Sequence, residues 1–254
     1  MFKAYTLKTK FNHFLSRTVH ASMLAIGFAL VHPAHATELR NFKAVFDVEA
    51  VGLTLGQAKH SMHCKDSICT LKSDAKPSGF AAAFFKDSSH ETIKLKQNDT
   101  MLSWLSYSKL GISYKDDKAK EKTIHLQLNA EKNSVICPEQ QREWPVQPQL
   151  FDVISISYAI QHAKLNDLPL TNLTLQDTNF QDKLKLKSTD NNDFLEFDFA
   201  DNHLDAVKYH FTSKHAEIEL WLLPKYDYFP GKIRIVNKKE KTITLSLAEP
   251  PKIL

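Results

Sequence analysis

Apolar residues recur at every second position over most of this chain. In Phe42-Lys-Ala-Val-Phe-Asp-Val-Glu-Ala50, positions 42, 44, 46, 48 and 50 are apolar, while Lys43, Asp47 and Glu49 point the other way. Only Val45 breaks the alternation, so the segment reads as a half-buried strand. Gly52-Leu-Thr-Leu-Gly56 reads as a turn into a strand from about Gln57 to Cys64, followed by Ile68 to Ser73. Gly79-Phe-Ala-Ala-Ala-Phe-Phe85 fits a short helix or a buried strand, and periodicity does not choose between them. Glu91 to Lys96, a turn at Asn98-Asp99, and Met101 to Ser108 read as a hairpin. Lys115 to Lys122 is a mixed charge run and reads as a solvated tip. Thr123 to Asn129 places Ile124, Leu126 and Leu128 on one face.

The same period returns in the C-terminal half at close spacing. Strands are expected at Leu170–Leu175, Asp182–Leu186, Asp193–Phe199, Ala206–Phe211, Glu217–Leu222, Lys232–Val236 and Thr242–Leu247. Short strands separated by polar turns indicate an all-β meander.

One stretch departs from this pattern. Glu143-Trp-Pro-Val-Gln-Pro148 cannot be interior strand, because each proline lacks the ladder donor. The segment that follows, Leu150 to Ala163, is apolar nearly all round. Ile154-Ser-Ile-Ser-Tyr158 also alternates and keeps a strand reading alive. Pro148 suits a first helical turn, however, and Asp152 would lie in that turn, where a negative charge favours the helix dipole. We read a buried helix over residues 148–163, with Phe151, Ile154, Tyr158 and His162 on one stripe. The fold class is mainly β: a large curved antiparallel sheet or incomplete β-barrel with this one buried helix.

The N-terminus sets the compartment and corrects the charge. Lys3, Lys8, Lys10 and Arg17 precede the apolar run Ala21–Val31, and Ala34-His-Ala36 supplies a small-x-small cleavage site. These are the parts of a secretory signal over residues 1–36, with a single β-rich domain at 37–254 and a periplasmic destination. The apolar run is shorter than the roughly 20 residues that span a bilayer, and no later stretch approaches that length. The whole chain carries 33 Lys+Arg against 29 Asp+Glu, but all four basic residues of the signal disappear with it. The remaining 29 basic and 29 acidic residues balance, so the alkaline pI gives no support for nucleic-acid binding.

Candidate chemistry is sparse. The glycines left after residue 36 form no phosphate loop, dinucleotide fingerprint or nucleophile elbow. Cys64 and Cys69 bracket a polar tetrapeptide and read as a cross-hairpin disulfide, a local staple because its loop is so short. Cys137 reads as a buried free thiol. His60-Ser-Met-His-Cys64 is the nearest approach to a metal constellation. In a strand, though, His60 and Cys64 stand roughly 13 Å apart, and a disulfide would remove Cys64. No metal or cofactor is expected. Asp152, among large apolar residues, is the carboxylate to watch, and reads first as a helix charge; no catalytic residue is assigned.

Three stretches resemble an exported bacterial family, domain of unknown function 3108. They are the early strand running into Gly52–Gly56, the Asp152-x-x-Ser155-x-x-Tyr158 pattern, and Trp221-Leu-Leu-Pro224 continuing to Pro230 and Lys-Ile-Arg-Ile. The resemblance implies an uncharacterised exported protein and favours the helical reading; it implies no reaction. The functional expectation is a non-enzymatic binding protein with an apolar or lipid-like ligand in a barrel-like cavity. Phe46, Phe151, Ile154, Tyr158 and Trp221 are its candidate lining residues. The alternatives are an interaction protein of the cell envelope, working through a sheet edge or the Trp144–Pro148 loop, and, last, an envelope hydrolase.

Overall fold

A computed structural model describes residues 37–50, 52–84, 86–98, 101–116, 118–238 and 241–254. The expected signal, residues 1–36, lies outside them, as do position 85 and Asp99 of the expected Asn98-Asp99 turn.

The main sheet has 14 strands and does not close. Its central run is β1 (Phe42–Ala50), β2 (Leu53–Lys65), β3 (Ile68–Pro77), β4 (Ser88–Asn98), β5 (Met101–Lys115) and β6 (Lys118–Asn129), each hydrogen-bonded to the next in antiparallel register. Beyond β6 come the short β7 (Ser134–Cys137) and β8 (Arg142–Pro145), which forms one edge. β9 (Leu150–Asp152), α1 (Ser155–Leu165), β10 (Thr174–Gln176) and β11 (Gln181–Lys183) follow in the chain. β12 (Lys185–Leu195) forms the other edge, and β13 (Leu204–Thr212), β14 (Ala216–Leu223), β15 (Phe229–Asn237) and β16 (Thr242–Leu247) lead back to β1. β17 (Lys252–Ile253) pairs with the start of β1. The meander is therefore interrupted once, between its two edges, and the interrupting segment packs against the inner face.

Several elements differ from expectation for identifiable reasons. Only Gly52 (φ 74°) is a turn residue; β2 begins at Leu53, and Gly56 lies within it. A Cβ at Gly56 would stand 2.3 Å from the Lys76 carbonyl oxygen, so a close backbone approach requires glycine there. The Lys115–Lys122 run is not a loop but the exposed ends of β5 and β6, which extend the hairpin to a turn at Asp116. β12 crosses the polar stretch Lys-Ser-Thr-Asp-Asn-Asn-Asp without alternation, because most of it is exposed on both faces. Phe197 and Phe199 lie outside it and stack on each other at 4.8 Å. Gly79–Ala83 is a short 3-10 helix, so of the two readings the helical one holds.

The helix also starts later than Pro148. Leu150–Asp152 is instead a strand, paired in parallel with β10, which is antiparallel to β11 in a small second sheet. Asp152 is fully buried ahead of the helix and caps it. Its Oδ1 accepts from the backbone N–H groups of Ile154 (2.9 Å) and Ser155 (3.0 Å). Its Oδ2 accepts from Ser155 Oγ (2.5 Å) and from Trp104 Nε1 of β5 (3.0 Å). The N–H groups orphaned at a helix start thus find an acceptor, and that acceptor is tied to the sheet. Burial pushes the Asp152 carboxyl above its ordinary range, and the bonds from Ser155 and Ile154 pull it back. At the far end Asp167 is left-handed (φ 50°), and Leu168 N–H donates to the Ala163 carbonyl at 2.8 Å, closing the last turn.

Every residue from Ser155 to Ala163 is buried. Tyr158 stacks on Phe42 at 5.0 Å and meets Phe229 edge-on at 5.9 Å. Among the described residues, no helix is long and apolar enough to cross a membrane.

Asp152→Asn keeps one acceptor oxygen but turns an NH2 toward donors that have nowhere else to go. We expect a loss of about 2–3 kcal/mol in urea unfolding. An unchanged midpoint would show that Asp152 does not hold the helix to β5.

Candidate functional site

Pairing register sorts the inner face of β1–β6 into layers running across the strands. One is apolar: Phe42, Met62, Leu71, Ile93, Tyr107 and Leu126 stand opposite one another strand by strand. The next is polar: Ala44, His60, Ser73, Glu91, Lys109 and Ile124. The third is small between its two ends: Phe46, Ala58, Ala75, Ser89, Gly111 and Lys122.

The helix seals the first two layers. His60 is 2% exposed, and a hydrogen bond of 2.8 Å joins its Nδ1 to the Tyr158 hydroxyl, while Phe46 packs on the imidazole at 4.8 Å. Its Nε2 is buried without a partner among the described residues. Burial drives the His60 pKa down to about 4, against the opposing pull of Asp74. In the same polar layer Glu91 is 8% exposed and takes three partners. Tyr107 Oη donates to it at 2.8 Å, Lys109 Nζ lies 3.0 Å away, and Ser89 Oγ donates at 3.3 Å. Burial first, and the Glu91 carboxylate second, push the Tyr107 phenol pKa up.

The third layer is where the packing stops. Alanine, serine and glycine leave an open groove of about 670 Å³ there, bordered by Val48, Gly56, Ala75, Pro77, Ser89, Lys109, Gly111, Lys122 and Ile243 among others. Ile243 of β16 and Lys122 of β6 are six strands apart in sheet order. On a flat sheet that would be about 29 Å. Both border one groove, so the sheet is strongly curled around it.

The expected lining residues fall elsewhere. Phe46 and Tyr158 are together in the filled part of the interior, both fully buried. Phe151, 3% exposed, lies in β9 and borders a cavity of about 50 Å³ beside Leu102, Ala159 and His162. Ile154 is half-buried at the helix start. Trp221 is not brought to them. It follows Leu220 and faces away from it, with Lys208 and Lys232 over its ring at 4.5 and 5.4 Å and its indole donating to Asp193 at 2.9 Å. None of the five borders the 670 Å³ groove. Large aromatic side chains fill space, and the hollow lies where they are missing.

Cys64 and Cys69 face each other across the β2–β3 hairpin and form a disulfide, with Cα atoms 3.9 Å apart. Asp66 and Ser67 take positive φ at the turn between them, as a two-residue hairpin of this hand requires. Cys137 is a buried free thiol. The hydrogen-bond partners of Asp152 are Trp104, Ile154 and Ser155, with no histidine among them. Trp144 and Pro145 lie in the edge strand β8, where a missing donor is tolerated.

No protein-family model matches the sequence, and no curated protein matches it. A crystal structure described as a β-barrel-like protein of domain of unknown function DUF1849 from Brucella abortus is similar in structure. The likeness covers 86% of this chain and 99% of that one, with a TM-score of 0.50 and 9% sequence identity. At that identity it shows the fold alone.

The buried His60 gives a pH dependence of definite sign. Between pH 6.5 and about 4 the unfolded histidine binds a proton that the folded one refuses, so stability falls as the solution is acidified through this window. The shift corresponds to about 3 kcal/mol. Urea unfolding of the parent and of His60→Gln from pH 7 to 4.5 should show a shallower acid loss in the variant. Parallel curves would mean that His60 is not held neutral.

Proposed function

We propose that this is a non-enzymatic periplasmic binding protein whose open groove holds an apolar or lipid-like ligand. The observation that carries the proposal is the abrupt change along the inner face. A helix-filled, aromatic core gives way within one layer to alanine, serine and glycine beneath the apolar Val48, Pro77 and Ile243. A concave, mostly apolar hollow with a few convergent polar groups at its end is the form small-molecule sites take. Lys109 and Ser89 border the groove and supply such a polar end, both tied to the buried Glu91. The resemblance to domain of unknown function 3108, carried by Asp152, Ser155, Tyr158 and the Trp221–Pro224 pattern, is part of this reading.

A second reading has its own observation. β8 and β12 leave the sheet with two edges, and β12 is exposed over most of its length. An envelope interaction partner could add a strand there. Register shifts after Leu186 and Asp190 interrupt β12, and such irregularities discourage strand addition. The groove is therefore the stronger site.

Gly111 gives a clean test, because a Cβ there would meet only the Lys122 carbonyl oxygen, at 3.8 Å. Gly111→Leu should fill the groove with a stability change within about 0.5 kcal/mol. Native mass spectrometry of protein purified from periplasm should find a lipid-sized adduct on the parent and none on the variant. Repeated absence of any adduct from the parent would overturn the proposal.

A further inference from the structure

The groove has two unlike walls. On one side Val48, Pro77 and Ile243 are apolar. The connection from Pro77 to β4 carries Phe80, 84% exposed and tilted against Phe84 at 4.8 Å, and Leu53 at the start of β2 is 66% exposed. On the other side stand the ends of β5 and β6. Alternation along β6 puts Lys118, Lys120 and Lys122 on the same face as Ile124 and Leu126, and Leu126 is 1% exposed in the core. The inner face of this strand therefore changes from apolar to lysine where the groove opens. Lys115 pairs with Lys118, and Gly111 with Lys122, extending the basic wall into β5. Glu121, in register with Ile112, belongs to the opposite face. Among the described residues, none of Lys115, Lys118, Lys120 and Lys122 has a carboxylate within ion-pair distance.

The domain after residue 36 carries equal numbers of acidic and basic residues, so this wall is a local concentration and not a general basicity. Lys122 borders the groove, Lys118 and Lys120 continue its face beyond the rim, and Asp87 is the one carboxylate on the border. An apolar wall facing a mainly basic rim is complementary to one chemistry. We propose that the groove takes an anionic amphiphile, its chain against Val48, Pro77 and Ile243 and its carboxylate or phosphate headgroup on Lys122 at the border and on Lys118 and Lys120 beyond it. This rests on the ligand-binding reading above and narrows it. Lysines on strand ends that lack a second neighbour also guard against strand addition. That role is indifferent to a ligand's charge, and the test separates the two.

The test uses delipidated full-length mature protein and isothermal titration with three probes. These are oleate below its micellar range, oleyl alcohol with the same chain and no charge, and inorganic phosphate. Oleate should bind about tenfold tighter than oleyl alcohol, since three lysines each contribute a modest, salt-screened attraction. The margin should shrink in high salt, disappear in the triple variant K118Q/K120Q/K122Q, and survive in the corresponding triple arginine variant. Phosphate alone should show no comparable binding. Equal affinity for oleate and oleyl alcohol, or a margin that persists in the glutamine variant, would overturn the headgroup site and leave the apolar groove standing. Phosphate binding as tightly as oleate would replace the amphiphile with a free-anion site. Failure of both chains to bind would overturn this proposal and the ligand-binding reading together.

Discussion

The contact on which the rest of the structure depends is the seating of α1 on the inner face, where Tyr158 meets Phe42, Phe229 and His60. A curled sheet this large has an inner face that water cannot be left to solvate, and aromatic residues from β1 and β15 need a partner. The helix is buried almost all round because it supplies that partner from inside. Its polar ends are the difficulty, since orphaned backbone groups inside a core are costly. Asp152 at one end and the Asp167 turn at the other answer that cost locally. Trp104 then joins the cap to β5, so helix placement and sheet packing stand or fall together.

The groove follows from the same economy of volume. Interiors pack densely wherever side chains are large enough to meet, and here they meet as far as the layer of His60 and Glu91. One layer on, Ala75, Ser89 and Gly111 cannot reach across the curl. The hollow is thus written into side-chain size at three positions on three adjacent strands. The buried Glu91, with Tyr107, Lys109 and Ser89 gathered on it, ends the hollow with a satisfied polar group.

How much of this was legible in the chain depends on which physical signal each part sends. β16 is found at Thr242–Leu247, as expected, because its alternation is unbroken. The Cys64–Cys69 staple follows from a two-residue turn and needs no knowledge of distant strands. The boundaries of β5, β6 and β12 do not show in the sequence because exposed strands carry no apolar period; Lys118 to Lys122 and Lys187 to Asn192 look like loops to any reading based on hydrophobicity. The helix was legible as an element but not in its start, since Leu150–Asp152 needs β10 as its partner before it can be a strand. The groove was not legible at all. Ala75, Ser89 and Gly111 are unremarkable one by one, and only pairing register brings them side by side. Aromatic residues mark the filled half of the interior, for the physical reason that they fill it.

The central claim is that the interior is divided, filled by the helix at one level and hollow at the next. A crystal structure of the protein grown with a fatty acid brominated along its chain would test it directly through the bromine anomalous signal. Bromine peaks are expected between Val48, Pro77 and Ile243, with Tyr158 still on His60. Bromine beside Phe151 and Tyr158, with the helix displaced, would contradict it.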